Sequence, residues 1–467
     1  MSRRQKRRGI SLGTIVMLVI TICVSTSLGY VLPRLQGNYS FSADPAKVLE
    51  AFSLSWLPEL SMNEIPIQFT VHETDNAMHT EQPGAQLPAV TDNDQMQTAA
   101  STATAAVTAT PQPAATPTIV PAQNRSFTIT FTGSIMLEDS IRKGAWIDEA
   151  DKYDFSEMLG YIAPELKSGD LCVVTVENII DDEAEFSDLI TTSAMVPMLA
   201  EAGIDAVGLA HPKAANEGVE GIRSTISALR ANGISVLGVH GDEQNAGQTA
   251  VMTLGGVKVA VLQYTDSLTA GGQKKLNNAA AEYAVDVASA DRISADIAMA
   301  RLIGAEVVIV CVNWGADDST TPNKAQKTMA QAIADAGADV IIGTGTKAVQ
   351  PAVWLQGNGQ NHKTLCAYSL GALLNEGRSD KNVASYILQL GFTVDSAGLA
   401  EIENMTCIPT YTWRYKADGK YRYFVVPSAE IAPDDMSESQ VESKERALKN
   451  VRKTLSDAPF AVPEMNE

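Results

Sequence analysis

Two stretches read almost alike: Ala202-Gly203-Ile204-Asp205-Ala206-Val207-Gly208-Leu209-Ala210 and Ala336-Gly337-Ala338-Asp339-Val340-Ile341-Ile342-Gly343-Thr344. In each, a glycine ends a helix and an apolar strand begins. Glycine suits a helix end because it takes left-handed backbone without a side-chain clash. Outward from these junctions the same alternation continues. Val219, Ile222, Ile226 and Leu229 recur at helical spacing, and Gly233 supplies the stop. Residues 127–131 (FTITF) alternate as a strand should, and 171–176 form a mostly apolar run of the buried-strand type. Strands are expected at 257–262, 307–312, 340–342 and 364–368, with helices at 293–302 and 325–336. Residues 386–394 and 421–426 read as antiparallel strands that close the sheet. Strands alternating with helices predict a layered α/β domain over 126–430. In such sheets the loops at the carboxyl ends of the strands gather the functional groups.

The flanks differ in composition. The 467-residue chain opens with a basic cluster, MSRRQKRRG, expected to be a cytoplasmic tail over 1–9. Residues 10–32 then run without a charge, long enough for a transmembrane signal-anchor, which takes about 20 apolar residues. Basic residues ahead of the span hold the N-terminus inside, so the expected location is the cell membrane, single-pass, with the C-terminal domain outside. A cleaved signal peptide is the rival reading, because Ser25-Thr26-Ser27 offers small residues near the end of the run. Residues 33–125 are expected to be a stalk, disordered where 98–118 are almost wholly Ala, Thr and Pro. Residues 431–467 are charged and expected to be a frayed tail. The net charge of −20, with basic residues spread thinly, argues against nucleic acid as a partner. Cys172, Cys311, Cys366 and Cys407 mostly sit in apolar runs and read as buried free thiols.

Six loops between 126 and 430 carry recognisable patterns. The first is Gly133-Ser134-Ile135-Met136-Leu137, and the second runs from Asp170 to Val176-Glu177. The third is Ala210-His211-Pro212-Lys213-Ala214-Ala215-Asn216-Glu217-Gly218. Asn313-Trp314-Gly315 follows, with Pro322 and Gln326 behind it. The fifth holds Gly337-Ala338-Asp339, Gly343, Thr344-Gly345-Thr346-Lys347 and Gln350, and the last is Tyr368-Ser369-Leu370-Gly371-Ala372. In this order the loops resemble those of the CapA family, the poly-γ-glutamate capsule synthesis proteins with a calcineurin-like metallophosphatase fold. The resemblance implies mixed central sheets in a layered α/β domain. It also implies a metal held by carboxylate, amide and imidazole groups from several loops, making a water nucleophilic.

The departures from the family pattern fall on those ligands. Ser134 stands for the family's Asp; Lys213, Asn313, Thr344, Gly345 and Lys347 stand for its histidines. Glu177 is the one strong ligand type left in register. No metal and no cofactor is therefore expected, and the cleft candidates are Ser134, Glu177, His211, Lys213, Asn216, Asn313, Thr344 and Lys347. Glu177 reads either as a surviving catalytic acid or base, or as half of an ion pair with Lys213 or Lys347. His211 reads as a surviving ligand or as an ordinary loop histidine. Lys213 with Lys347 reads as a small anion site or as solvated or paired side chains. Ser369 has no histidine placed beside it and reads as a turn residue, and Trp314 as a packing platform.

Two functions follow. One is a membrane-anchored, metal-free pseudoenzyme that binds or scaffolds a cell-surface polymer, with other membrane biosynthesis components as partners by analogy with the family. The other is a hydrolase or amide-bond-processing enzyme with Glu177 as base and Lys213 or Lys347 as stabiliser.

Overall fold

The computed structural model describes residues 124–465, apart from 247, 277–278 and 360–361. All lie in one compact unit, Gln112–Glu467. The basic tail, the expected span at 10–32 and the Ala/Thr/Pro-rich stretch fall outside the described residues. Among the described residues no helix is long and apolar enough to cross a membrane.

β1 (Arg125–Ile135), β2 (Leu171–Val176), β3 (Ala206–Gly208) and β4 (Ser235–Leu237) run parallel, side by side. β5 (Val251–Leu254) turns back into β6 (Val257–Thr265), and β7 (Val307–Asn313) and β8 (Val340–Thr344) follow in parallel. β9 (Val349–Gln356) is antiparallel to β10 (Lys363–Leu370), which lies parallel to β8. β11 (Ala372–Leu374) pairs with the end of β1. β12 (Ala384–Val394), β13 (Ala400–Ala417) and β14 (Lys420–Pro427) form an antiparallel meander whose first strand also pairs with β1. The outcome is an eight-stranded sheet in the order β14-β13-β12-β1-β2-β3-β4, with β11 beside β1, and a six-stranded sheet in the order β9-β10-β8-β7-β6-β5. Both are mixed, as the resemblance implies. The principal helices are α1 (Gly218–Arg230), α2 (Ala290–Leu302), α3 (Lys324–Asp335) and α4 (Glu438–Thr454).

Side-chain alternation assembles the layers. Phe127, Ile129 and Phe131 of β1 share one core with Val257, Val259 and Val261 of β6 and with Val307, Ile309 and Cys311 of β7. That core lies between the sheets. The intervening Val308, Val310 and Val312 face Ile293 and Ile297 of α2 and Ile333 of α3 in a second core. Val174 and Val176 of β2 meet Ile222, Ile226 and Leu229 of α1 in a third. β7 is thus buried on both faces, which is why it reads as an unbroken apolar run. Each such Val or Ile contributes about 1.5–3 kcal/mol by burial. At the two matching junctions Gly203 and Gly337 take φ +89° and +93°, the left-handed stops read from the sequence. Cys172, Cys311, Cys366 and Cys407 are free and buried.

One expectation is overturned at the C-terminus. The segment beyond 431 is not a frayed tail, because α4 packs on the meander and buries Ala447 and Val451 in the inter-sheet core, joined by Leu455 and Phe460, with Leu448 buried as well. Its abundant charges lie on the remaining faces. Lys444 is buried with them and donates to the carbonyl oxygens of Ser428 (3.1 Å) and Glu430.

Candidate functional site

β1, β2, β7 and β8 are parallel within their sheets, and their carboxyl ends bring motif residues from both sheets together. Ser134 lies near the end of β1 opposite Thr175, and Glu177 follows β2 directly. Asn313 ends β7 opposite Thr344, the last residue of β8. Close backbone approaches hold this end of the sandwich. A Cβ on Gly133 would lie 2.0 Å from the Gly371 carbonyl oxygen, and one on Gly343 would lie 1.9 Å from that of Tyr368. Trp314 is buried, stacks on Tyr368 and donates its indole N–H to the Tyr368 carbonyl at 2.9 Å, so it is a packing platform. Gln326 closes a capping box with Asn323 at the start of α3 and donates to Gln350 at 2.8 Å. Ser369 lies inside β10, opposite Gln350, and not in a turn; its hydroxyl accepts from Thr346 Oγ1 (2.9 Å) and the Gly371 N–H (3.1 Å). The motif positions that match the family pattern are those the backbone needs.

Glu177 is the centre of what remains. Its Oε1 accepts from Ser134 Oγ at 2.6 Å and from Asn313 Nδ2 at 2.9 Å, one donor from each sheet. Thr175 and Thr344 face each other across the sheets with hydroxyls 3.4 Å apart. Burial raises the Glu177 carboxyl above the usual range; the two hydrogen bonds and the nearby Lys347 oppose that rise without cancelling it. Lys347 takes φ +57°, an uncommon backbone for a side chain other than glycine. Its Nζ lies 3.2 Å from Asp317 Oδ2. Burial lowers the Lys347 pKa, but Asp317, Glu138 and Glu177 together hold it above its ordinary value. Glu138 is also raised by burial, against the pull of the Glu376 N–H (2.7 Å) and of Lys347. One ammonium therefore serves three carboxylates.

The other candidates stand apart. His211 is 2 % exposed, and burial, aided by Lys213, pushes its pKa down to about 3, so it is neutral at pH 7. Lys213 is exposed. Asn216 Oδ1 accepts from Thr269 Oγ1 at 2.6 Å, at the start of a neighbouring short helix. Among the described residues no hydrogen bond or ion pair joins these three to Glu177. The expected ion pair of Glu177 with Lys213 or Lys347 is replaced: serine and asparagine hold the carboxylate, and Lys347 pairs with Asp317. Lys213 is exposed, whereas the Lys347 ammonium is engaged by Asp317. Glu138 and Asp317 were missed as site residues. Their signal was position alone, since Glu138 directly follows the first loop and Asp317 lies two residues past Asn313-Trp314-Gly315.

The donor set does not fit a metal centre. A divalent transition ion needs several imidazole or carboxylate donors. Among the described residues no group of three His, Cys, Asp or Glu side chains is placed to share an ion. Ser134 and Asn313 point their hydrogens at the Glu177 oxygen, and Lys347 already supplies positive charge.

The family model described as bacterial capsule synthesis protein PGA_cap matches residues 128–376. The chain is 24% identical over 237 residues to the capsule biosynthesis protein CapA of Bacillus anthracis, covering 47% of this chain and 54% of that one. It is 23% identical over 301 residues to the PGA biosynthesis protein CapA of Bacillus subtilis (strain 168), covering 62% of this chain and 74% of that one. The chain thus spans about half the length of the first relative. Among solved structures, the NAD nucleotidase of Haemophilus influenzae superposes with a TM-score of 0.38 at 12% identity, over 73% of this chain and 58% of that one. A calcineurin-like phosphoesterase from Bacillus subtilis gives 0.37 at 12% identity, over 71% and 98%. Likenesses this loose carry no chemistry across.

Proposed function

This chain belongs to the bacterial capsule synthesis protein family PGA_cap, and from that premise we propose that it is a membrane-anchored, extracytoplasmic subunit that binds or scaffolds a surface polymer, of the poly-γ-glutamate kind, without metal and without catalysis. One observation carries the reading: the carboxylate in the old ligand register is satisfied by Ser134 and Asn313, with the Lys347 ammonium beside it. Ser134 and Asn313 turn hydrogens instead of lone pairs to the Glu177 oxygen, and the Lys347 ammonium is the positive charge its carboxylates already have, so the cluster offers a transition ion few donors. The basic start and the charge-free 10–32 support the anchor. The partners proposed are the polymer itself and other membrane-embedded synthesis components.

The raised Glu177 pKa favours a second reading, a hydrolase or amide-processing enzyme in which Glu177 is the acid or base. Complementation separates the two. A deletion strain is restored with the wild-type gene or with Glu177→Gln, and surface polymer is measured for amount and chain length. Full restoration by Glu177→Gln is expected for a scaffold. Failure of that variant, expressed at wild-type level, would transfer the function to the enzyme reading.

A further inference from the structure

A second cleft shares no residue with the Glu177 cluster. It has a volume of about 1050 Å³ and is lined by α1, β4, β6 and the start of α2. That is room for a small ligand or a short peptide. Its floor is fixed by backbone: Val239 bridges Val285 and Thr265 bridges Val287, while the His240 N–H donates to Ala284 and the Asp286 N–H to Gly238, each at 2.9 Å. These bonds set the His240 ring against the Asp286 carboxylate, with Nε2 at 3.0 and 3.1 Å from its two oxygens. Arg292 donates to the same carboxylate and lies 3.7 Å from Asp296, which accepts the Tyr264 hydroxyl at 2.8 Å. Asp242 accepts from the backbone and side chain of Asn245 at 3.0 and 2.9 Å. Every carboxylate lining the cleft is thus engaged by donors of the protein itself.

Of the three arginines that line it, Arg292 is engaged in the same way, but Arg230 and part of Arg223 are not. The Arg230 guanidinium at the rim makes no hydrogen bond or ion pair among the described residues. Arg223 gives Nε to the Gly241 carbonyl (2.7 Å) and Nη1 to Glu220, leaving Nη2 uncommitted. In a chain of net charge −20, the rim thus presents one unpaired guanidinium and a second with a free nitrogen. Guanidinium forks match carboxylates in geometry and charge. We infer that this cleft binds a carboxylate-bearing ligand of amino-acid or short-peptide size, gripped at its rim by Arg223 and Arg230. The inference deepens the polymer-binding reading and rests on it for the choice of glutamate as probe.

The test is calorimetric titration of the full-length protein in detergent with γ-linked triglutamate, its neutral triglutamine counterpart and inorganic phosphate. Saturable binding of triglutamate is expected, with none for triglutamine and weaker binding of phosphate. Arg230→Ala should weaken it about tenfold, the worth of one charge-assisted contact. Arg230→Lys should recover part, and Glu177→Gln should change nothing. Absence of binding, binding equal in Arg230→Ala, or phosphate binding as tightly as triglutamate would each overturn the inference. Triglutamate binding lost in Glu177→Gln but kept in Arg230→Ala would move the ligand to the other cleft, leaving the polymer-binding reading intact. That reading itself fails if deletion of the gene leaves surface polymer unchanged.

Discussion

Replacing Glu177 by glutamine or by alanine separates a buried hydrogen-bond hub from a catalytic or metal-binding carboxylate. In the structure Oε1 accepts two hydrogen bonds, from Ser134 at 2.6 Å and Asn313 at 2.9 Å. Glutamine keeps an oxygen for both donors and removes the charge. Alanine removes the acceptor and strands the Asn313 amide. Hydrogen bonds between neutral partners are worth about 0.5–1.5 kcal/mol each, so alanine should be less stable than glutamine by about 1–3 kcal/mol. For a domain of this size that is about 1–4 °C in Tm. The pH dependence has a definite sign. Because burial raises the folded Glu177 pKa above its unfolded value, the stability tied to its proton is complete below the unfolded pKa. It is lost as pH rises through the folded pKa. Glu177→Gln should therefore match wild type at acid pH and exceed it at pH 8. Thermal melts from pH 5 to 8 by circular dichroism read both effects. A Glu177→Gln protein destabilised as much as Glu177→Ala at pH 8 would refute the reasoning, because the charge itself would then be what the site needs.

Three further outcomes are expected. Lys347→Gly relieves the φ of +57° but removes the ammonium facing Glu138 and Glu177, whose pKa values then rise further; its melting point should equal wild type near pH 5 and fall behind it as pH rises, and a pH-independent difference would count against the shared-ammonium account. Gly343→Ala places a methyl 1.9 Å from the Tyr368 carbonyl oxygen and 2.6 Å from Trp314 Nε1. It should cost about 3 kcal/mol in urea denaturation, so wild-type stability would show that the approach is not required. Leu455→Ala should cost about 2–4 kcal/mol by opening the contact that the end of α4 makes with the inter-sheet core, and an unchanged denaturation midpoint would argue that α4 does not dock.

Much of the fold was legible because burial on both faces leaves a mark. The run from Val307 to Val312 cannot be solvated on either side, and Gly203 and Gly337 end helices where only a glycine is comfortable. The division into two sheets was not legible. Phe127, Ile129 and Phe131 announce a face, but nothing local tells that β1 pairs with β12, whose residues come some two hundred and sixty positions later by the register Phe127↔Phe392. β13 escaped because its first half alternates weakly and carries Glu401, Glu403 and Asn404. The docked C-terminal helix escaped because its charges outnumber Ala447, Leu448 and Val451, which suffice once they share a face.

In the site, the motif positions Ser134, Glu177 and Asn313 lie together because parallel strand ends impose convergence. The choice of ion-pair partners was beyond it. Lys347 settles on Asp317 instead of Glu177, an outcome of loop backbone and tertiary packing that side-chain spacing does not encode. His211, Lys213 and Asn216 share a loop in the sequence, yet one is buried and neutral, one is exposed, and one is tied to Thr269.

The most direct measurement is the metal content of the purified protein by elemental analysis, after incubation with Mn²⁺, Zn²⁺ and Fe²⁺ and exhaustive buffer exchange. A cluster in which Glu177 is satisfied by Ser134 and Asn313 beside the Lys347 ammonium predicts no retained metal. One or two equivalents per chain, lost on Glu177→Gln, would contradict that account and restore the cleft to catalysis.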